Sequence, residues 1–124
     1  MQRKLTEPAD KIRAAHVNTI QKIQNHLSGS VVLTQLLSNL KYLFLTSNQL
    51  SGPLNLTKLP PNMCRLRVDK NTFSGTVDIS DLPQGLVELK LLCNDYLTGE
   101  VSISDELFDR VNVKNTKIVK QHAE

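Results

Sequence analysis

Residues 40–52 read LKYLFLTSNQLSG, and this stretch decides the fold. Leu40, Leu43, Leu45 and Asn48 follow the pattern L-x-x-L-x-L-x-x-N. Successive side chains of a strand point to opposite faces, so Leu43 and Leu45 share one side while Tyr42, Phe44 and Thr46 share the other. The phrase then returns. Met63, Leu66, Val68 and Asn71 repeat it, as do Leu86, Leu89, Leu91 and Asn94. Asn25, Asn48, Asn71 and Asn94 are each separated by 23 residues. Gly29, Gly52 and Gly75 keep the same step. Gly99 lags by one residue, which places an insertion within Asp95-Tyr96-Leu97. A last set, Val111, Val113 and Thr116, fits with Thr in place of Asn and a slip of one residue.

A period of this length predicts stacked coils, because one coil cannot bury its own apolar side. The strands of successive coils form a parallel sheet with a continuous aliphatic core. Each asparagine stands where its strand turns into a loop. Its amide both donates and accepts, so a column of asparagines can tie neighbouring backbones together. Glycine follows because the tight turn needs positive φ. Leu54-x-Leu56, Val77-x-Ile79 and Val101-x-Ile103 then alternate, predicting a second short strand per coil. Leu59-Pro60-Pro61 and Leu82-Pro83 argue against long helices beyond it.

Over Val17 to Thr116 these residues resemble the leucine-rich-repeat superfamily. The NxLSGxL run looks like the plant-type subclass. The linked SGxVDxSxLPxxLxxL unit is similar to protist repeats, kinetoplastid ones in particular. The resemblance implies an α/β repeat. That is a leucine-rich-repeat solenoid with a parallel concave β-sheet and short second strands or 3-10 turns on the convex side. It also implies that ligands meet the outward residues of the concave strands. Carried over by position, these are Tyr42, Phe44 and Thr46, then Arg65, Arg67 and Asp69, then Glu88, Lys90 and Leu92, then Arg110, Asn112 and Lys114. Two of the five aromatics point outward here, and the cations outnumber Asp69 and Glu88, so the face is net basic.

The ends depart from the pattern. Lys22 stands where an inward leucine belongs. Ile12, Ala15 or His16, Ile20, Ile23 and Leu27 have helical spacing, with Thr6, Pro8 and Gly29 suited to its ends. The spacing predicts a capping helix from about Pro8 to Leu27; the alternative is a degenerate strand at Ile20 to Ile23. The expected organisation is a capping helix and degenerate half-repeat over 1–28, repeats over 29–116 and a C-terminal tail over 117–124. Lys117 and Lys120 would blunt the last sheet edge, and another chain could pair there.

The composition, 40% hydrophobic and 22% charged, belongs to a folding chain, and a net charge of +3 is only mildly basic. No apolar stretch approaches the ~18 residues of a membrane span, and the N-terminus lacks the pattern of a secretory signal. The expectation is an intracellular, soluble protein, for which the sequon Asn55-Leu56-Thr57 is a chance match. The repeat register sets Cys64 and Cys93 about 20 Å apart, too far for a disulfide. His16, His26 and His122 have no metal spacing, and no phosphate loop or catalytic motif is visible, so neither an enzyme nor a cofactor is expected. The expected function is non-catalytic binding of another protein through an acidic or mixed surface of that partner. The alternative is a structural subunit of a larger assembly, such as a ribonucleoprotein, with the basic face on RNA phosphate.

Overall fold

In a computed structural model, which describes residues 19–36 and 38–123, the chain winds as a solenoid of stacked coils with two parallel sheets. The first contains β1 (Thr19–Gln21), β3 (Tyr42–Phe44), β5 (Arg65–Arg67), β7 (Glu88–Lys90) and β9 (Val111–Asn112), in that spatial order. The second contains β2 (Ser28–Gly29), β4 (Gln49–Gly52), β6 (Thr72–Thr76), β8 (Tyr96–Ile103) and β10 (Lys117–His122). Each coil thus gives one strand to each sheet. The helix among the described residues is one turn, α1 (Asp105–Phe108). No helix among them is long and apolar enough to cross a membrane.

The core is a set of columns running through the stack. Ile20, Leu43, Leu66, Leu89 and Val111 make one, and Leu27, Leu50, Phe73 and Leu97 another. Val31, Leu54, Val77 and Val101 stand beside Leu33, Leu56, Ile79 and Ile103. The step lengthens to 24 residues between Phe73 and Leu97 because the inserted residue is absorbed in a turn. Leu97 N–H donates to Asn94 O at 3.1 Å, and Tyr96 is pushed out to solvent.

The asparagines bind neighbouring coils to each other. Asn71 Nδ2 donates to Leu45 O of the preceding coil and to Val68 O and Asp69 O of its own, while its Oδ1 accepts from Leu50 N–H. Asn48 and Asn94 repeat the arrangement one coil either side. Asn25 stands exposed at the end of the column and gives its backbone N–H to Asn48 Oδ1. Thr116 takes the last position, donating to Val113 O and accepting from Ile118 N–H.

A second column precedes the first. Gln24, Ser47, Lys70, Cys93 and Asn115 all have φ between 55° and 60°. Left-handed backbone here turns the chain out of the first sheet, and after Ser47, Lys70 and Cys93 the next residue is a buried asparagine. Such backbone costs a non-glycine residue roughly 1–2 kcal/mol, which the stack repays through the amide column. Gly75 has φ +87° with nothing near a would-be Cβ, so its requirement is conformational and not one of space. Past the second sheet the coils close in side-chain turns. Asp78 accepts from the Ser80 hydroxyl and backbone N–H, bonds that hold its pKa below the ordinary carboxylate value.

The expected helix over Pro8 to Leu27 is corrected where it can be seen. Thr19–Gln21 is a strand paired in parallel with Tyr42–Phe44, and 22–27 is turn and loop. Of the alternative strand over Ile20 to Ile23, Ile20 and Gln21 lie in a strand and Lys22 and Ile23 do not; Ile20 is buried and pairs in register with Leu43. A partnered ladder also satisfies the backbone of an edge that a helix would leave unpaired. Pro8 to Asn18 lies outside the described residues. Residues 117–122, expected as tail, form β10 along β8 with six paired positions. Cys64 and Cys93 are free thiols.

The last coil closes on Lys120. Its ammonium donates to Phe108 O (2.7 Å) and Val111 O (2.9 Å) and lies 4.3 Å from the Phe108 ring centre. His122 stacks on the same ring at 3.7 Å and meets Asp105 at 2.9 Å. Lys120→Ala removes both donations at a partly exposed site, an expected loss of about 1–2 kcal/mol. Hydrogen exchange should show it as early exchange of the β10 amides; unchanged protection of β10 would refute this closing role.

Candidate binding face on the first sheet

The three middle strands of the first sheet alternate half-buried, buried, half-buried: Tyr42-Leu43-Phe44, Arg65-Leu66-Arg67 and Glu88-Leu89-Lys90. The buried leucines hold the strands down, and their neighbours stand outward on a rigid backbone. Register sorts these neighbours into rows. Thr19, Tyr42, Arg65 and Glu88 form the first, and Gln21, Phe44, Arg67, Lys90 and Asn112 the second. Cross-strand neighbours in parallel sheets lie about 5 Å apart, so side chains within a row are within reach of one another.

The middle of the face is tightly joined. Tyr42 and Phe44 have ring centres 6.2 Å apart, tilted by 42°. The Arg67 guanidinium carbon lies 4.5 Å above the Phe44 ring centre. Glu88 faces three cations: Oε1 accepts from Arg67 Nε at 2.5 Å, and Oε2 stands 3.6 Å from Arg65 Nη1 and 4.0 Å from Lys90 Nζ. Two positive charges remain uncompensated around it. Aromatic faces and arginine together offer an apolar platform beside an anion receptor, the combination that dominates binding energy at protein interfaces.

The remaining expected residues are less central. Asp69 is buried and accepts from Thr46 Oγ1 at 2.9 Å, so it braces the sheet margin. Leu92 is half-buried beside it. Arg110, Asn112 and Lys114 are exposed on the last coil. Arg110 Nη1 donates to Leu86 O, and Asn112 Oδ1 accepts from Lys114 N–H, so the first and second are engaged within the chain. Thr19 and Gln21, which extend the rows by one strand, were missing from the sequence-based face. The 23-residue step already aligned them with Tyr42 and Phe44, but helical spacing outweighed it. Glu88 was placed on the face, yet its role as hub was not legible, because its nearest cation, Arg67, stands in the other row and reaches it diagonally across the strand pair.

No family model, curated protein or solved structure matches the chain.

Proposed function

We propose that this chain is a leucine-rich-repeat protein that binds an acidic protein partner, without catalysis, through the outward face of its first sheet. The observation that carries the reading is the Tyr42–Phe44–Arg67 platform, with Arg65 and Lys90 adjacent and one carboxylate, Glu88, among them. The parallel solenoid and its asparagine column support the leucine-rich-repeat assignment. Preorganised side chains on strands lose little entropy on binding, so modest contact area suffices.

The test is partner capture by the whole chain, followed by mass spectrometry and titration of what is captured. Arg65→Gln/Arg67→Gln should weaken binding at least about 100-fold, because two charge-assisted contacts worth about 1.5–3 kcal/mol each are lost. Both side chains are partly exposed, so thermal stability should change by no more than about 1 kcal/mol. Equal capture by wild type and variant would end this reading. Salt distinguishes the partner. Five cations on single-stranded RNA phosphates predict a log–log salt slope of about −3 or steeper, and recognition centred on Tyr42 and Phe44 a much shallower one.

A further inference from the structure

Glu88 does not share itself evenly among its three cations. It accepts from Arg67 Nε, while Arg65 and Lys90 lie at 3.6 and 4.0 Å. One edge of the Arg67 fork is therefore held by a carboxylate, and one face lies on Phe44. The two terminal nitrogens of Arg67 make no hydrogen bond among the described residues, and its side chain keeps 31% of its exposure. A guanidinium fixed in this way presents a two-nitrogen edge of set direction, which matches the two oxygens of a carboxylate.

We infer that Arg67 is the receptor for one carboxylate side chain of an extended acidic peptide segment, and that Glu88 is the residue that positions it. An apolar residue adjoining that carboxylate lies against Tyr42 and Phe44. The inference rests on the binding reading above and names the chemistry of its central contact. One carboxylate on Arg67 leaves the cluster net positive, so a second acidic residue of the same segment can meet Arg65 or Lys90. Glu88 is not a competitor for the cations. Coulomb's law alone says that removing it strengthens anion binding; positioning says that removing it weakens binding, because Arg67 then samples many rotamers and loses its aim. The two accounts predict opposite signs.

The experiment uses the full chain and a fluorescein-labelled nonapeptide of three Glu-Asp-Phe units, read by fluorescence anisotropy. Glu88→Ala should raise Kd about tenfold. Glu88→Gln keeps an oxygen to accept from Arg67 Nε and should stay within about threefold of wild type. A ligand-free measurement runs beside it. The Nε–Hε nuclear magnetic resonance signal of Arg67, assigned by its loss in Arg67→Lys, should be protected from exchange in wild type and Glu88→Gln and unprotected in Glu88→Ala. Tighter binding by Glu88→Ala, or an unprotected Arg67 signal in wild type, overturns the inference and leaves the binding face standing. No saturable binding by wild type, or binding indifferent to Arg65→Gln/Arg67→Gln, overturns the binding reading with it. Preference for a decauridylate over the peptide assigns the site to phosphate and overturns both.

Discussion

Asn71→Ala is expected to cost about 2–4 kcal/mol, a large fraction of the stability of a domain of this size. The cost is not four equal hydrogen bonds. Leu45 O also accepts from Asn48 Nδ2, Val68 O from Asn94 Nδ2, and Asp69 O from Ser47 N–H, so each carbonyl keeps a partner. Leu50 N–H has Asn71 Oδ1 and is buried with it. The orphaned donor carries about 1–3 kcal/mol, and the missing amide volume adds the rest. Asn71→Asp sharpens the test. A carboxylate could still accept from Leu50 N–H, but its second oxygen would face three carbonyl oxygens. Its folded pKa would therefore rise above the unfolded value, so what stability remains is present below that unfolded value and is lost as pH rises through the folded one. Urea midpoints of both variants between pH 4 and pH 8 decide the matter. A loss under 1 kcal/mol in Asn71→Ala, or a pH trend of opposite sign in Asn71→Asp, would remove the column from its structural role.

Phe73→Ala should cost about 3–5 kcal/mol, and Phe73→Leu only about 1–1.5 kcal/mol. Phe73 is fully buried and stands in a column whose other members, Leu27, Leu50 and Leu97, are leucines. Leucine is therefore the residue its neighbours are shaped to receive, while alanine leaves a cavity that flanking strands cannot close. The middle coil also links the two ends of the stack. Contacts in a solenoid join only adjacent coils, so weakening the centre should uncouple them. Denaturation of Phe73→Ala followed by circular dichroism and by exchange of the β10 amides should give separated midpoints. Coincident midpoints with a loss under 1 kcal/mol would contradict this packing.

The reading from sequence was strongest where chemistry repeats. Leu43, Leu66 and Leu89 could be placed inward because period-two alternation recurs at a fixed step, and three registers agree. The left-handed column through Ser47, Lys70 and Cys93 left no such trace. Its members are unlike one another, since the shared constraint is on the backbone; Lys70 is exposed and Ser47 and Cys93 are half-buried. The first coil was misread over Thr19 to Leu27 for a related reason. Ile20, Ile23 and Leu27 satisfy helical spacing, and a local pattern cannot reveal that Tyr42–Phe44 offers a parallel edge to pair with. Lys120 was expected to guard an exposed edge, but folds onto two carbonyls and the Phe108 ring.

The binding face divides along the same line. Sequence alone determined that Tyr42, Phe44, Arg65, Arg67, Glu88 and Lys90 stand on the outward side of neighbouring strands, because strand alternation and the repeat step are both local to the chain. It likewise determined the aliphatic core and the asparagine column. Only the tertiary structure decided that Arg67 lies on Phe44 and is held by Glu88, that Asp69 braces the sheet, and that Thr19–Gln21 pairs as a strand with Tyr42–Phe44. Those facts belong to residues some 20 positions apart. They are set by strand register and by the competition of several cations for one carboxylate, energies that exist only once the coils are stacked.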